Sequence, residues 1–157
     1  MKTVLIIISI VVIFVVGSLM VLGNNSQSGV AEGLLNGKLQ ACPDTPNCLS
    51  SEHDDDAEHF IPPLDISDHS SSDALMILKE IIMALKGEIQ ADNGLYISAT
   101  FSSALFGFVD DLEIRVDPKQ NVIHIRSASR VGRSDFGANK KRIELIKKLY
   151  AERTANG

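Results

Sequence analysis

The chain has 157 residues, a net charge of −5, two cysteines and no tryptophan. Apart from an apolar N-terminus this length allows one small domain, and the absence of basic residues interleaved with aromatics argues against a nucleic-acid partner. Residues 44–117 hold 16 acidic and three basic side chains, whereas residues 126–153 hold nine basic and three acidic ones. Either the two halves neutralise each other within one fold, or the basic half forms a cationic face for an anionic partner or lipid headgroups.

An uncharged apolar run of nineteen residues, 4–22, follows Lys2. As a helix it would span roughly 28 Å, close to the ~30 Å hydrocarbon core of a bilayer, and it exceeds the ~7–15 residues of a signal-peptide core. We predict a signal anchor over residues 1–23, with a cleaved signal peptide as the alternative. The positive charges precede the run, so the positive-inside rule predicts a single-pass protein of the inner membrane whose C-terminal domain lies in the periplasm or cell exterior.

Residues 24–38 are rich in Gly, Asn and Ser, and we expect a flexible tether there, followed by one domain over residues 39–153. The domain begins with an extended segment that holds both cysteines. Exported compartments permit disulfides, so we predict a bond between Cys42 and Cys48.

Metal ligation by these cysteines with His53 or His59 is the alternative. The spacing does not match the usual zinc patterns, and neither a metal nor a cofactor is predicted.

The remaining patterns predict an α+β domain, in which a three- or four-stranded antiparallel meander packs with two helices. Ser71 begins a helix that runs to Lys86. Its apolar face consists of Leu75, Leu78, Ile81, Ile82 and Leu85, widened by Met76 and Met83. Alternation predicts strands over residues 95–101, 111–116 and 122–126, and residues 88–91 are the candidate for a short fourth strand. A basic helix follows from Ser134 or Asp135 to about Arg153, with a stripe of Ile143, Ile146 and Tyr150.

A four-residue loop, 118–121, fixes the register of the last hairpin, because directly opposed residues share a face. Arg115 then lies opposite His124, and Glu113 lies opposite Arg126. All four are expected on the solvated face, where a Glu–Arg pair contributes only about 0.2–1 kcal/mol.

Two sequence motifs are similar to those of a known protein family. One is CPDTPNCLSS at 42–51; the other is LFGFVDDLEI at 105–114, followed by VIHIRSASRVGRSDFGANKKRIE at 122–144. On these the chain resembles the domain of unknown function family 1499 from about Leu39 to Tyr150. The resemblance implies a single domain and supplies no reaction.

The corner where the last strand meets the last helix is the candidate site. Its small hydroxyls leave room on the inner face, a helix N-terminus favours anions, and arginines supply bidentate donors. The candidate ligand-binding residues are Arg126, Ser127, Ser129, Arg130, Ser134, Asp135 and Asn139. In the competing interpretation each has a local role: Ser134 or Asp135 caps the helix, and Arg130 pairs with Asp110 or Asp111.

The apolar loop with Leu105, Phe106 and Phe108 is expected to cover the core edge, to line an apolar pocket or to enter the bilayer. The preferred function is a membrane-anchored binding or assembly module for an anionic or amphipathic ligand, a lipid or a protein partner.

The alternative function is a hydrolase, with Ser127, Ser129 or Ser134 as nucleophile, His124 as base, and Asp110 or Asp111 as the group that orients the base. The chain has no Gly-x-Ser-x-Gly elbow, and His124 should face away from Ser127 and Ser129, which argues against this alternative.

Overall fold

The apolar run forms one uninterrupted helix, α1 (Lys2–Gln27), in the computed structural model, which describes residues 1–155. This helix is long and apolar enough to cross a membrane, a property shared by membrane anchors and signal sequences. It continues past residue 23, where the anchor was expected to end, and Gly23 and Ser26 are buried against the domain.

Four strands form the antiparallel meander predicted from the alternation: β5 (Glu88–Asp92), β6 (Tyr96–Ser102), β7 (Val109–Asp117) and β8 (Val122–Ser129). The α+β fold class is therefore confirmed. Two short strands, β3 (Cys48–Ser50) and β4 (Leu64–Asp65), pair with the other side of β8 and widen the sheet to six strands. Strands of two or three residues carry too little alternation to be predicted.

The register of the β7–β8 hairpin is the one that the loop length requires. Arg115 lies opposite His124 and Glu113 lies opposite Arg126. This register puts Ile123, Ile125 and Ser127 on the inner face of the sheet, which the two helices of the domain cover.

Helix α2 (Ser71–Ala84) and helix α3 (Ala138–Thr154) enclose the core with the inner face of the sheet. The predicted stripe of α3 is fully buried, as are most of the α2 positions. The core side chains on these helices are Leu75, Leu78, Ile81, Ile82, Ile143, Ile146 and Tyr150. Met76 and Met83 were expected to widen the apolar face of α2, but they are 53% and 57% exposed, because they lie on its solvent side.

Helix α2 begins at Ser71, as predicted, and Ser70 caps it by accepting a hydrogen bond from the Asp73 N–H. Helix α3 begins at Ala138 rather than at Ser134 or Asp135, because residues 134–137 form a turn that precedes it.

Residues 24–38 were expected to be a flexible tether, and the structure differs. Residues 24–27 belong to α1, and residues 28–39, which we call the strap, contain a small hairpin of β1 (Leu34–Leu35) and β2 (Lys38–Leu39). The strap lies on the outer face of the sheet, where the Gly33 N–H donates to the Glu113 carboxylate over 2.8 Å. For this reason Glu113 and Arg126, which were expected on a solvated face, are buried. His124, expected on the same face, is buried beside Ser51.

The cysteine-containing segment closes one side of the domain. Cys42 and Cys48 form the predicted disulfide, with their Cα atoms 5.6 Å apart. The two histidines have other partners: His53 bonds the Leu39 carbonyl, and His59 bonds Asp56 and the Thr45 carbonyl. The disulfide places Asn47 and Cys48 beside the end of β8, next to the candidate corner.

Candidate functional site

Three of the predicted corner residues, Ser127, Ser129 and Asn139, come together in one polar cluster, in which the Asn139 side chain is almost fully buried. The Asn139 Oδ1 accepts from the Ser127 hydroxyl over 2.5 Å, and its Nδ2 donates to the Asn47 carbonyl over 3.0 Å and to the Ser129 hydroxyl over 3.1 Å. Ser129 in turn donates to Asp110 over 2.6 Å. Each hydroxyl and amide in this part of the cluster therefore has a partner within the protein.

The arginines of the corner are also paired. Arg130 makes a bidentate contact with Asp111, over 2.8 and 2.7 Å, and donates to the Ser26 carbonyl at the end of α1. The bond to Asp111 raises the pKa of the Arg130 guanidinium. Arg126 lies under the strap, 2.9 Å from Glu113 and 3.4 Å from Glu32.

Arg142 is a member of the cluster that sequence reasoning missed. Its guanidinium bonds the Asp110 carboxylate over 2.7 Å and lies over the ring of Phe101, 4.5 Å from the centroid. Arg142 is three residues after Asn139, so both lie on one face of α3. This spacing could have predicted that Arg142 joins the cluster.

The anion seat expected at the start of α3 is filled by the chain itself. The Asp135 carboxylate accepts the Gly137 N–H over 3.0 Å and the Asn139 N–H over 2.7 Å. Asp135 thus has the capping role of the competing interpretation. Ser134 is exposed, and its hydroxyl accepts from the Phe136 N–H at 3.4 Å.

Taken together, these contacts favour local roles for the predicted residues. Arg130 pairs with Asp111, one of the two partners considered, and Asp135 caps the helix. A ligand at the corner would have to displace these bonds.

The geometry gives little support to serine hydrolysis. Ser127 is buried against Asn139 on the inner face, whereas His124 on the outer face bonds Ser51 through its Nδ1. Within residues 1–155, His124 therefore has Ser51 as its serine neighbour and contacts none of the three proposed nucleophiles.

The residues of the predicted apolar loop, 105–108, differ in how far they are buried. Phe106 and Phe108 are half-buried and pack edge to face, with ring centroids 6.3 Å apart. Leu105 at the tip is 78% exposed. The loop lies against α1, because a side chain at Gly23 would overlap the Phe106 carbonyl.

A groove of about 650 Å³ lies beside the polar cluster, between α3 and residues 57–62. Leu49, Ile61 and Ile143 give it an apolar floor, and lysines and glutamates stand on its rim. The lining residues are Pro46, Leu49, Ala57, Glu58, Phe60, Ile61, Pro62, Asp135, Gly137, Asn139, Lys140, Ile143, Glu144 and Lys147.

Lys147 is the unusual member of this lining. It is half-buried, its ammonium donates to the neutral carbonyl of Pro62, and among the described residues it has no carboxylate partner. Burial lowers the pKa of its ammonium. The next residue, Lys148, has an exposed side chain and lies 3.8 Å from Glu152.

A second groove, of about 780 Å³, lies between the strap and the outer face of β5 and β6. Hydroxyl and amide groups from Gln90, Ser98 and Thr100 line it, and its one cation, Arg130, is already paired with Asp111.

Comparison with known families now identifies the chain at the level of a family. The model of the family described as Protein of unknown function (DUF1499) matches residues 38–149. The chain belongs to this family, in agreement with the resemblance seen in the two motifs. Helix α1 and most of the strap precede the matched range. A search of curated proteins found no match.

Proposed function

We propose that this member of the family is a single-pass, membrane-anchored binding module, which holds an amphipathic anionic ligand in the groove between α3 and residues 57–62. The observation that carries the proposal is the combination of an apolar floor with a half-buried lysine that lacks a carboxylate partner. The groove volume of about 650 Å³ is that of a small-molecule site.

The floor accounts for the apolar part of the ligand. Leu49, Ile61 and Ile143 present hydrocarbon to the groove, and the two prolines at its edges have no N–H to satisfy. Apolar surface covered by a ligand is stabilised by roughly 25 cal/mol per Å². A ligand with a short alkyl or aryl group therefore fits the floor.

Lys147 accounts for the acidic group. An ammonium that is partly withdrawn from water is destabilised unless an opposite charge lies near it, and the Pro62 carbonyl supplies only a dipole. A carboxylate, sulfonate or phosphate at the groove would act as the counter-ion. Lys140, in the first turn of α3, lies on the same groove and adds a second cation, while Glu58 and Glu144 restrict the anion to the lysine positions.

Binding can be measured on the full chain in an uncharged detergent, with naphthalenesulfonate as the anionic probe and naphthol as its neutral counterpart. Lys147→Met should weaken naphthalenesulfonate binding roughly ten- to a hundredfold, since one charged hydrogen bond contributes about 1.5–3 kcal/mol. Naphthol binding should not change. Lys148→Met is the matched control, because Lys148 lies outside the groove. Equal sulfonate affinity in wild type and Lys147→Met would contradict the proposal.

Retention of α1 as an uncleaved anchor is the second part of the proposal. It is supported by the continuation of the helix into the domain, where Ser26 accepts the Val109 N–H over 3.0 Å. The Lys2 end should remain in the cytoplasm and the domain outside. Protease added to spheroplasts should digest the domain, and a protected domain would refute this orientation.

A further inference from the structure

The direction of α1 determines which end of the domain faces the bilayer. Gly23 lies beside Phe106, and three residues later Ser26 lies beside Val109, so the end of α1 runs in the same direction as the start of β7. The apolar residues 4–22 therefore extend beyond the start of β7. In an antiparallel sheet, the end at which β7 begins is also the end at which β6 and β8 finish.

Two loops project from this end of the sheet. One, residues 103–108, joins β6 to β7 and exposes Leu105. The other, residues 130–137, joins β8 to α3 and exposes Phe136, whose side chain is 91% accessible. The strands of the opposite end meet in turns at Asp92 and Asp117, which are acidic.

Phe136 is held outward by its backbone as well as by its position. Its φ of 54° lies in the left-handed region, which a bulky residue rarely adopts. Asp135 fixes this turn through the N–H groups of Gly137 and Asn139. The domain thus maintains an unfavourable backbone conformation that leaves a large aromatic side chain uncovered, and the described residues supply nothing that covers it.

Charge around Phe136 is positive. Residues 130–141 contain four basic side chains and one acidic one, Asp135, which is engaged with the helix N-terminus. Arg133, Lys140 and Lys141 are exposed. Basic side chains beside an exposed aromatic are the composition that binds to the interface of an anionic bilayer.

We infer that loops 103–108 and 130–137 form a second membrane contact, in which Leu105 and Phe136 enter the interface and Arg133 and Lys141 bind anionic headgroups. This inference rests on the proposed anchor, since α1 brings this end of the domain to the bilayer. It does not depend on a ligand in the groove. The contact would hold the domain at two separated points on one lipid surface.

The absence of tryptophan from the chain allows a direct test. Phe136→Trp introduces a single tryptophan into the full chain, reconstituted in vesicles that contain phosphatidylglycerol and lipid brominated near the headgroup. We expect bromine to quench this tryptophan and its emission to be blue-shifted. Replacing phosphatidylglycerol with phosphatidylcholine, or Arg133→Glu in the same background, should reduce the quenching.

Two further single-tryptophan variants provide the controls. Leu95→Trp lies at the opposite end of the sheet, on a residue that is 52% exposed, and should not be quenched. Phe14→Trp lies within α1 and should be quenched by lipid brominated in the chains. Quenching at position 14 without quenching at position 136 would overturn this inference and leave the anchor intact. Loss of quenching at both positions would refute the anchor and, with it, this inference.

Discussion

Removal of the Arg130 side chain separates the two interpretations of the corner most clearly. If Arg130 served mainly to bind a ligand, Arg130→Ala would leave stability nearly unchanged. The structure predicts the opposite, because Arg130 and Asp111 form a bidentate pair whose side chains are only 11% and 8% exposed. The variant would leave the Asp111 carboxylate in a buried position without its counter-ion.

The expected loss in the free energy of unfolding is about 3–5 kcal/mol, the range for breaking one side of a buried ion pair. The lost bond from Arg130 to the Ser26 carbonyl adds to it. Urea unfolding of the full chain in an uncharged detergent, followed by far-UV circular dichroism, would measure this loss. Arg130→Ala combined with Asp111→Ala should recover part of the stability, because the second change removes the unpaired charge.

The pair formed by Lys79 and Asp92 is a suitable control, since their side chains are 35% and 32% exposed. Lys79→Ala should lower stability by no more than about 1 kcal/mol. An Arg130→Ala variant as stable as Lys79→Ala would refute the structural role of Arg130 and restore the corner as a ligand site.

Two other predictions concern stability. Replacing Cys42 and Cys48 together with serine should lower the free energy of unfolding by about 2 kcal/mol. A thiol count on the unreduced wild type should find no free thiol, and two reactive thiols would contradict the disulfide. Hydrogen bonds from the Lys79 ammonium and the Gly94 N–H lower the pKa of the Asp92 carboxyl below its ordinary 3.8. The ionised carboxylate therefore stabilises the folded state above pH 3.8, and this stabilisation is lost as the pH falls through the lowered pKa. Asp92→Asn should therefore be less stable than wild type at pH 7 and equally stable in strong acid, and a difference that persists in acid would show that the charge is not responsible.

The hairpin register illustrates what local pattern can predict. Alternation and loop length were sufficient to place Glu113 opposite Arg126 and His124 opposite Arg115. They could not show that this face is covered, because the strap comes from residues about 80 positions away along the chain. Alternation with a period of two shows that the two faces of a strand differ in polarity, but it does not show what packs against each face. The Glu113–Arg126 pair, which was predicted to be a weak pair at the surface, is therefore buried.

Sequence reasoning placed Ser127, Ser129, Arg130 and Asn139 near one corner but did not predict the partner of each group. In the structure Asn139 bonds both serines, whereas Arg130 bonds Asp111. Which partner each group takes depends on distances set by tertiary packing. The groove was not predicted, since it lies between α3 and a segment whose strands are too short for periodicity to detect.

The rigid connection between α1 and the domain limits how far the domain can move from the end of the helix. A flexible linker of fifteen residues would let the domain sample distances of roughly 20 Å from its point of attachment. The bonded Ser26 lies only four positions after Leu22, a helical rise of roughly 6 Å. With α1 retained as the proposed anchor, the domain stays at the bilayer surface and cannot reach across the compartment toward a distant partner. A ligand for the proposed groove would have to come to within about one domain diameter of the lipid, either from solution or by lateral diffusion.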